Sequence, residues 1–197
     1  FEQTATRFKG HEITLYPVTS GNLSTKTISA DEFWNSSPSS SCWVVSNLMK
    51  SFSKRFAFKD WPNKKIPLVA AGVYVIWDGK TLIYCGMSGR QMDKTLNQMK
   101  RKYGLVNRLN SHASGRLSGD QFCVYVANRF VIPSLHPDDL PRFSSGEYKL
   151  DTMTKNYIHQ KLEYQYLVVE SSSDAYRIER EIRQGNGFEL KPVLNPL

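Results

Sequence analysis

The stretch GVYVIWDGKTLIYCG, residues 72–86, decides the fold because its composition predicts two adjacent β-strands. Both halves are rich in β-branched and aromatic residues, and Asp78-Gly79 between them is a turn signal typical of a hairpin. A glycine stands at the outer end of each strand, Gly72 in the first and Gly86 in the second. Because glycine weakens a strand, these two positions indicate close approach by another backbone or by a ligand.

The length of the hairpin loop decides whether Tyr74 and Tyr84 lie on the same face of the sheet. Strand side chains alternate between faces, so a two-residue loop of Asp78 and Gly79 places the two phenols on opposite faces. A three-residue loop over 77–79, with Gly79 left-handed in a bulge, places them together. Each tyrosine alone is ordinary in a strand, but a joint role requires one face. We therefore predict the three-residue loop.

The composition is that of a folded protein with a strongly basic balance. The 197 residues are 40% hydrophobic and 22% charged, which argues against wholesale disorder. No apolar run approaches the roughly 20 residues that a membrane-spanning helix needs. The net charge of +8 favours a polyanionic partner. The three cysteines are scattered along the sequence, which indicates reduced thiols in a cytoplasmic protein. The four histidines lack the spacing of a zinc site.

The chain divides into an N-terminal extension over residues 1–68 and a core over 69–197. Two short helices are predicted in the extension, one through Phe33 and Trp34 and one over 43–52. Beyond the hairpin, the predicted elements are a helical stretch 92–113 broken near Gly104, a β-like segment 121–132, a surface insertion 133–146, a strand 162–170 and a helix 174–184 ended by Gly185.

Basic and aromatic residues alternate between Lys50 and Lys65. Four aromatic residues are interleaved there with six basic residues and one acid. The mixture suits contact with a nucleic-acid backbone combined with base stacking. It equally suits aromatic residues in a core beneath a solvated face of lysines. The sequence leaves both interpretations open.

Arg108 and His112 stand four residues apart in a helical stretch and so share one face. A guanidinium binds phosphate oxygens in two places and keeps its charge, as a transition state gaining negative charge requires. Eight basic residues and one acid lie between Gly79 and Gly119, so most of the excess charge accompanies the tyrosines. From this basic group we predict four residues that bind nucleic acid, namely Lys94, Arg101, Lys102 and Arg116.

Glu179 occupies a helical position that is expected to be apolar. It shares the i, i+3, i+4, i+7 spacing of a buried stripe with Ala175, Ile178 and Ile182. A buried carboxylate needs a partner, and a divalent metal ion is one. The alternatives are an ion pair with Arg183 one turn later, or a position at the edge of the stripe from which the carboxylate reaches solvent. Glu181 is the reserve candidate for the metal.

Together these residues resemble the GIY-YIG nuclease family. The correspondence is Gly72-Val73-Tyr74 and Tyr84-Cys85-Gly86 for the name motif, Arg108 and His112 for the helical pair, Glu179 for the metal-binding glutamate, and Asn195 for the closing asparagine after a proline. The resemblance covers roughly residues 70–197. The family's arginine lies nearer the second tyrosine, so either residues 89–102 form a looped-out insertion or Arg90 or Arg101 is the true counterpart. Where the family commonly has a small or basic residue after the second motif, this chain has Met87 and Ser88.

The resemblance implies an α/β fold of the α+β type, with a small central antiparallel β-sheet of about three core strands flanked by helices. Residues 69–197 would be the nuclease core, with insertions at 89–102 and 119–161. The extension and the second insertion would supply DNA recognition or dimer contacts.

The resemblance also implies a one-metal hydrolysis of DNA. The implied roles are Tyr74 as general base helped by Tyr84 or His112, Arg108 on the scissile phosphate, Glu179 on Mg²⁺ or Mn²⁺, and Asn195 orienting water or phosphate. We expect a sequence-specific endonuclease of the restriction or defence type that acts on double-stranded DNA, with a homodimer as one arrangement and no membrane association. The alternatives are a repair or mobile-element nuclease module and a non-catalytic nucleic-acid-binding domain with the same fold.

Overall fold

A computed structural model of the chain describes residues 50–89, 103–188 and 190–195, together with the backbone of three short strands nearer the N-terminus. These strands, β1 (Phe8–Lys9), β2 (Glu12–Leu15) and β3 (Lys26–Ser29), form an antiparallel sheet in sequence order. The helix predicted through Phe33 and Trp34 lies outside the described residues, as does nearly all of the helix predicted over 43–52.

The main sheet is built around one long central strand. Its antiparallel order is β4 (Phe56–Ala57), β8 (Leu162–Val169), β5 (Val69–Asp78) and β6 (Thr81–Ser88), and β7 (Tyr103–Gly104) adds a short parallel pairing at the start of β5. β5 is buried on both faces, which explains why its sequence is apolar almost without alternation. The predicted antiparallel sheet of an α+β fold is confirmed, and the strand predicted over 162–170 is β8.

The hairpin between β5 and β6 has a different loop from the predicted one. Asp78 pairs with Thr81, so the loop consists of the two residues Gly79 and Lys80. The prediction of a three-residue loop over 77–79 is therefore wrong. Gly79 is left-handed as expected, with φ of 55°. A loop of this length alone would place the two tyrosines on opposite faces.

A β-bulge inside the hairpin restores the predicted arrangement of the tyrosines. The register shifts by one residue after the loop, so that Ile83 has no partner and Tyr84 lies opposite Ile76. Ile76 and Tyr74 are two residues apart on β5 and share a face, so Tyr84 shares that face as well. The expectation that both phenols lie on one side of the sheet is thus correct, and the bulge is the physical reason.

Five α-helices lie in the part of the chain that the structure describes after β6. They are α1 (Leu105–Ser114), α2 (Gln121–Val126), α3 (Leu140–Ser144), α4 (Leu150–Lys161) and α5 (Ser172–Gln184). α5 confirms the helix predicted over 174–184, and it ends at the left-handed Gly185. None of the described helices is long and apolar enough to cross a membrane.

The β-like segment predicted over 121–132 is wrong, because these residues form α2 and a π-helical turn over Ala127–Val131. Asp120 caps the start of α2 by accepting hydrogen bonds from two backbone N–H groups. The buried residues are Phe122, Cys123, Val126, Ala127 and Val131, which is a helical and not an alternating spacing. Burial of this stripe outweighs the β propensity of its aromatic and β-branched residues.

Helices cover both faces of the main sheet. α5 packs on the face formed by the odd-numbered residues of β5, among them Val73 and Val75. α1, α2 and α4 pack on the other face, around Tyr74 and Ile76. The segment 119–161 therefore contributes a full layer of the core. Its middle portion over 133–146, predicted to be a surface insertion, has no buried residue and lies on the surface.

Residues 50–68 of the predicted extension also belong to the packing of the core. Phe52 contacts the α5 side of the sheet, and Phe58 and Ile66 are buried on the other side. The predicted boundary at residue 68 therefore cuts through packed structure. The lysines in this stretch are exposed beside buried or half-buried aromatic rings, which favours the core interpretation over base stacking.

Gly72 marks a close approach within the chain, and replacing it tests this packing. A Cβ at Gly72 would overlap the carbonyl oxygen of Leu167 on β8 and lie 2.5 Å from Leu105 Cδ1 on α1. We expect Gly72→Ala to lower the free energy of unfolding by about 1–3 kcal/mol, as overpacking does. Urea denaturation measures the loss. The control Val69→Ala, at an exposed position of the same strand, should change stability by less than about 0.5 kcal/mol. Equal losses in the two variants would contradict the prediction.

Candidate active site

The side chains of Tyr74, Tyr84, Arg108 and His112 meet on the face of the sheet that α1 covers. The Tyr74 hydroxyl lies 2.8 Å from His112 Nε2, and the two tyrosine ring centroids are 6.4 Å apart. Arg108 precedes His112 by one helical turn, and its guanidinium lies beside the Tyr74 side chain. Four of the six predicted catalytic residues thus form one cluster.

The start of α1 is tied to the start of β5, and this determines where the side chains of α1 lie. β7 pairs in parallel with Val69 and Ala70, and Gly104 then leads into α1 with φ of 102°. A side chain on Gly104 would overlap the backbone of Ala70, so the approach requires glycine. Two turns further along, α1 places His112 over Tyr74.

Tyr74 is fully buried, and its ring lies across the backbone of Gly86, its partner on β6. A Cβ at Gly86 would collide with the Tyr74 hydroxyl, so the close approach at this glycine is made by a side chain and not by the predicted backbone or ligand. Burial raises the pKa of Tyr74 well above that of a free phenol, and the influence of Arg108 lowers it only in part. Burial likewise raises the pKa of Tyr84 to about 12. Both tyrosines are therefore neutral phenols at physiological pH.

His112 is fully buried between the tyrosines and α2. Its ring centroid lies 4.6 Å from that of Phe122 and 5.3 Å from that of Tyr74. Burial lowers the pKa of His112 below its ordinary value, although a hydrogen bond to Asp120 acts in the opposite direction. The imidazole is therefore neutral near pH 7, with one nitrogen able to donate and the other able to accept.

Asp120, which was not predicted as a site residue, completes the cluster. Its Oδ2 lies 2.8 Å from His112 Nδ1, while its Oδ1 accepts from the backbone N–H groups of Phe122 and Cys123 at 3.0 and 3.5 Å. Burial tends to raise the pKa of Asp120, but its hydrogen bond with His112 brings the pKa below the usual range. An aspartate immediately before a helical apolar stripe is an N-cap signal that was present in the sequence. Its contact with His112 was not, because it depends on how α1 and α2 pack.

Glu179 lies on α5, which packs on the opposite face of the sheet from α1. It is 8% exposed, and its Oε1 lies 3.4 Å from Arg183 Nη1, so the predicted ion pair is present. The charge of Glu179 also contributes to the raised pKa of Tyr84 and of Cys85, which places it near β6. Glu181, the reserve candidate, accepts a hydrogen bond from Asn186 at 2.7 Å on the outer side of α5.

Asn195, which was predicted to orient water or phosphate, pairs through its side chain with the backbone of Cys85. Its Oδ1 accepts from the Cys85 N–H at 2.7 Å and its Nδ2 donates to the Cys85 carbonyl at 2.8 Å. The backbone N–H groups of Val193 and Leu194 donate to the carbonyls of Leu82 and Ile83. The C-terminal residues therefore bind the outer edge of β6 around its bulge, and they hold Tyr84 and Gly86 in place.

The structure describes one of the four residues that were predicted to bind nucleic acid. Arg116 is exposed just beyond the end of α1. Lys94, Arg101 and Lys102 lie outside the described residues, as does Arg90. Arg108 is the arginine that the described structure places beside the two tyrosines.

Comparison with protein-family models, with curated proteins and with solved structures finds no match to this chain. Within the described ranges, no group of three or more His, Cys, Asp and Glu side chains is arranged to hold a metal ion. A Mg²⁺ ion at a phosphate does not need such a group, because it commonly binds one carboxylate and completes its shell with water and phosphate oxygens.

Replacing Asn195 with aspartate tests its role at the edge of β6. In Asn195→Asp a carboxylate oxygen replaces the donor and faces the Cys85 carbonyl, so one hydrogen bond is lost and two acceptors are brought together. We expect the free energy of unfolding to fall by about 1–3 kcal/mol in urea denaturation at pH 7. The same change at the exposed Asn156 on α4 should have an effect below about 0.5 kcal/mol. An unchanged stability of Asn195→Asp would show that the two bonds to Cys85 do not contribute.

The buried neutral His112 predicts a loss of stability in mild acid. Its pKa is lower in the folded protein than in the unfolded chain, where it is about 6.5, so the unfolded chain takes up the proton first. Full stability is present above pH 6.5 and falls as the pH drops below that value, with a limiting slope of about 1.4 kcal/mol per pH unit. Urea unfolding between pH 5 and 7.5 measures this slope, and it should be smaller in His112→Gln. Identical slopes in the two proteins would contradict the buried neutral state.

Proposed function

We propose that this protein is a divalent-metal-dependent endonuclease that hydrolyses phosphodiester bonds in double-stranded DNA, with a site of the GIY-YIG type. The main support is the 2.8 Å hydrogen bond between the Tyr74 hydroxyl and His112 Nε2, with Tyr84 and Arg108 beside it. A buried tyrosine in a purely structural role needs only one partner, whereas this hydroxyl bonds a base and has a second phenol and a cation nearby. Attack of water on a phosphodiester requires that combination of proton acceptor and fixed positive charge.

Tyr74 acts as a general base by passing its own proton on. The phenolate is not the resting form, because burial holds the pKa of Tyr74 well above the physiological range. As Tyr74 takes a proton from water, the neutral His112 accepts the phenolic proton across their hydrogen bond. Tyr74 therefore does not need a lowered pKa.

Arg108 holds the scissile phosphate. Its side chain is exposed while the Tyr74 hydroxyl beneath it is buried, so the guanidinium lies between that hydroxyl and the solvent. A phosphate oxygen is a stronger partner for a guanidinium than a neutral phenol is. When the phosphate replaces the Tyr74 phenol beside the Arg108 guanidinium, the phosphate is attached and the attacking water gains access to Tyr74.

Glu179 is the residue that would hold the metal ion. It is a nearly buried carboxylate whose field reaches Tyr84 and Cys85, and a single carboxylate fits the way in which Mg²⁺ binds at phosphates. The bound cation, Mg²⁺ or Mn²⁺, supplies positive charge for the phosphate and the leaving oxygen. Arg183 remains as the ion-pair partner of the carboxylate on the same helix.

Double-stranded DNA is proposed as the substrate on the basis of charge and resemblance. The chain has a net charge of +8, and lysines between positions 50 and 65 are exposed on the surface of the described core. A sequence-specific enzyme of the restriction or defence type fits a chain that has further elements beyond the catalytic sheet. A repair or mobile-element nuclease is the second candidate within the same chemistry.

Glu179→Gln tests the proposed activity with a change that keeps the shape of the side chain. Without the carboxylate charge, Mg²⁺-dependent cleavage of supercoiled plasmid should fall about 100-fold or more, a loss typical of removing one electrostatic stabiliser. Glu181→Gln is the matched control, since it makes the same change on the outer side of α5 and should leave the rate unaltered. Gel electrophoresis of the plasmid products measures both.

The pattern of products separates the remaining alternatives. Discrete fragments from wild-type protein indicate sequence-specific cleavage, and a smear indicates an unspecific or structure-directed enzyme. If wild-type protein binds DNA but cleaves no plasmid or linear substrate with Mg²⁺ or Mn²⁺, the protein is a non-catalytic nucleic-acid-binding domain. Equal cleavage by Glu179→Gln and wild type would refute the role of Glu179.

A further inference from the structure

Asp120 is a buried carboxylate whose burial is not explained by helix capping alone. It is 2% exposed, and desolvating a charge of this kind is costly unless the charge has a specific partner. The two backbone hydrogen bonds that it accepts at the start of α2 could be accepted equally well by a neutral serine or asparagine. Its second oxygen lies 2.8 Å from His112 Nδ1, so the charge faces the imidazole.

The hydrogen bonds around His112 determine which of its nitrogens carries the proton. An ionised carboxylate only accepts hydrogen bonds, so His112 Nδ1 must donate to Asp120. In the neutral ring Nε2 then has a lone pair, and the Tyr74 hydroxyl at 2.8 Å must donate to it. This tautomer follows from the network of donors and acceptors.

We propose that Asp120 is a positioning residue of the reaction, which holds His112 in the Nδ1–H tautomer so that Nε2 accepts the proton of Tyr74. The proposal rests on the nuclease function proposed above. Asp120 touches neither substrate nor metal, and it acts through His112.

The proton movements and bond changes balance. A proton leaves water for the Tyr74 oxygen while the original phenolic proton passes to His112 Nε2, and the hydroxide formed makes a bond to phosphorus. The bond from phosphorus to the leaving oxygen breaks, and that oxygen takes a proton from solvent. The proton on His112 then returns through Tyr74 to solvent. Between these steps the imidazolium is stabilised by the adjacent Asp120 carboxylate.

The other groups around His112 do not provide the same interaction. Within the described residues, the charged or titratable groups that face it are Tyr74 from β5, Tyr84 from β6, Arg108 from α1, and Asp120 and Cys123 from the α2 segment. Cys123 donates weakly to the His112 backbone carbonyl, not to the ring. From α4, His159 bonds the carbonyl of Ala113. Asp120 is thus the one carboxylate among these groups.

The variant Asp120→Asn separates positioning from capping. The asparagine oxygen can still accept the two backbone hydrogen bonds of α2, so the cap is kept. Its NH₂ group would donate to His112 Nδ1, which forces the proton onto Nε2 and turns that nitrogen from an acceptor into a donor toward Tyr74. Asp151→Asn is the matched control, because it removes the same charge from a nearby exposed position where the side chain accepts from the Leu117 N–H.

Two measurements on the full chain test the proposal. Nitrogen-15 NMR of the histidine rings, with His112 identified by its absence in His112→Gln, should show the Nδ1–H tautomer in wild type and in Asp151→Asn and the Nε2–H tautomer in Asp120→Asn. The rate of plasmid cleavage with Mg²⁺ should fall about 100-fold or more in Asp120→Asn, the usual range for losing general-base assistance. The acid limb of its pH–rate profile should move to lower pH, since the carboxylate that favours protonation of His112 is gone.

Each result supports or overturns the proposal. An Nε2–H tautomer in wild type overturns it without any variant, and so does an unchanged tautomer or an unchanged rate in Asp120→Asn. A rate loss in Asp120→Asn without a shift of the acid limb also overturns it, because Asp120 then has a merely structural role. If wild type has the Nδ1–H tautomer but cleaves no DNA, the nuclease function fails while the control of the tautomer by Asp120 stands.

Discussion

The buried hydroxyl of Tyr74 is the group on which the rest of the site depends. A phenol in the core loses its hydration, and this costs free energy unless hydrogen-bond partners replace the lost water. Its hydrogen-bond partner is His112, and Arg108 lies beside it, so α1 must cross the sheet with those two side chains near the hydroxyl. The same hydroxyl lies over the backbone of Gly86, where any side chain would displace it. The position of α1 and the glycine at residue 86 are therefore both required to accommodate the Tyr74 hydroxyl.

The charges of the site are ordered from the core to the surface. Asp120 is ionised in the interior, His112 and Tyr74 are neutral in the middle, and Arg108 is a cation at the solvent side. When Tyr74 passes its proton to His112 and takes one from water, the positive charge would appear on an imidazolium next to Asp120. That charge would thus form beside an opposite charge that is already fixed in place. In a low-dielectric interior this preorganisation is the strongest help that a protein can give to such a transfer.

The outer edge of β6 shows how residues distant in the chain support the site. An unpaired strand edge exposes backbone donors and acceptors, and here the C-terminal residues bind four of them. The side chain of Asn195 imitates a backbone amide and pairs with both polar groups of Cys85, between Tyr84 and Gly86. The segment 119–161 also supports the site, from the face of the sheet that α1 covers. It supplies the layer that buries His112 and brings Asp120 to it.

The sequence by itself determined the hairpin strands, β8, α5 and the shared face of Arg108 and His112. These follow from strand composition, helical spacing and the glycine after α5, all of which act within a few residues. Tertiary structure decided the bulge that brings Tyr84 beside Tyr74, the helical state of 121–132, and the contact between Asp120 and His112. Propensities differ by only about 1 kcal/mol or less per residue, whereas burying a stripe or leaving a polar group unpaired costs more. Interactions between segments as far apart as Cys85 and Asn195 therefore outweighed the local preferences. Such interactions form only when the layers pack together.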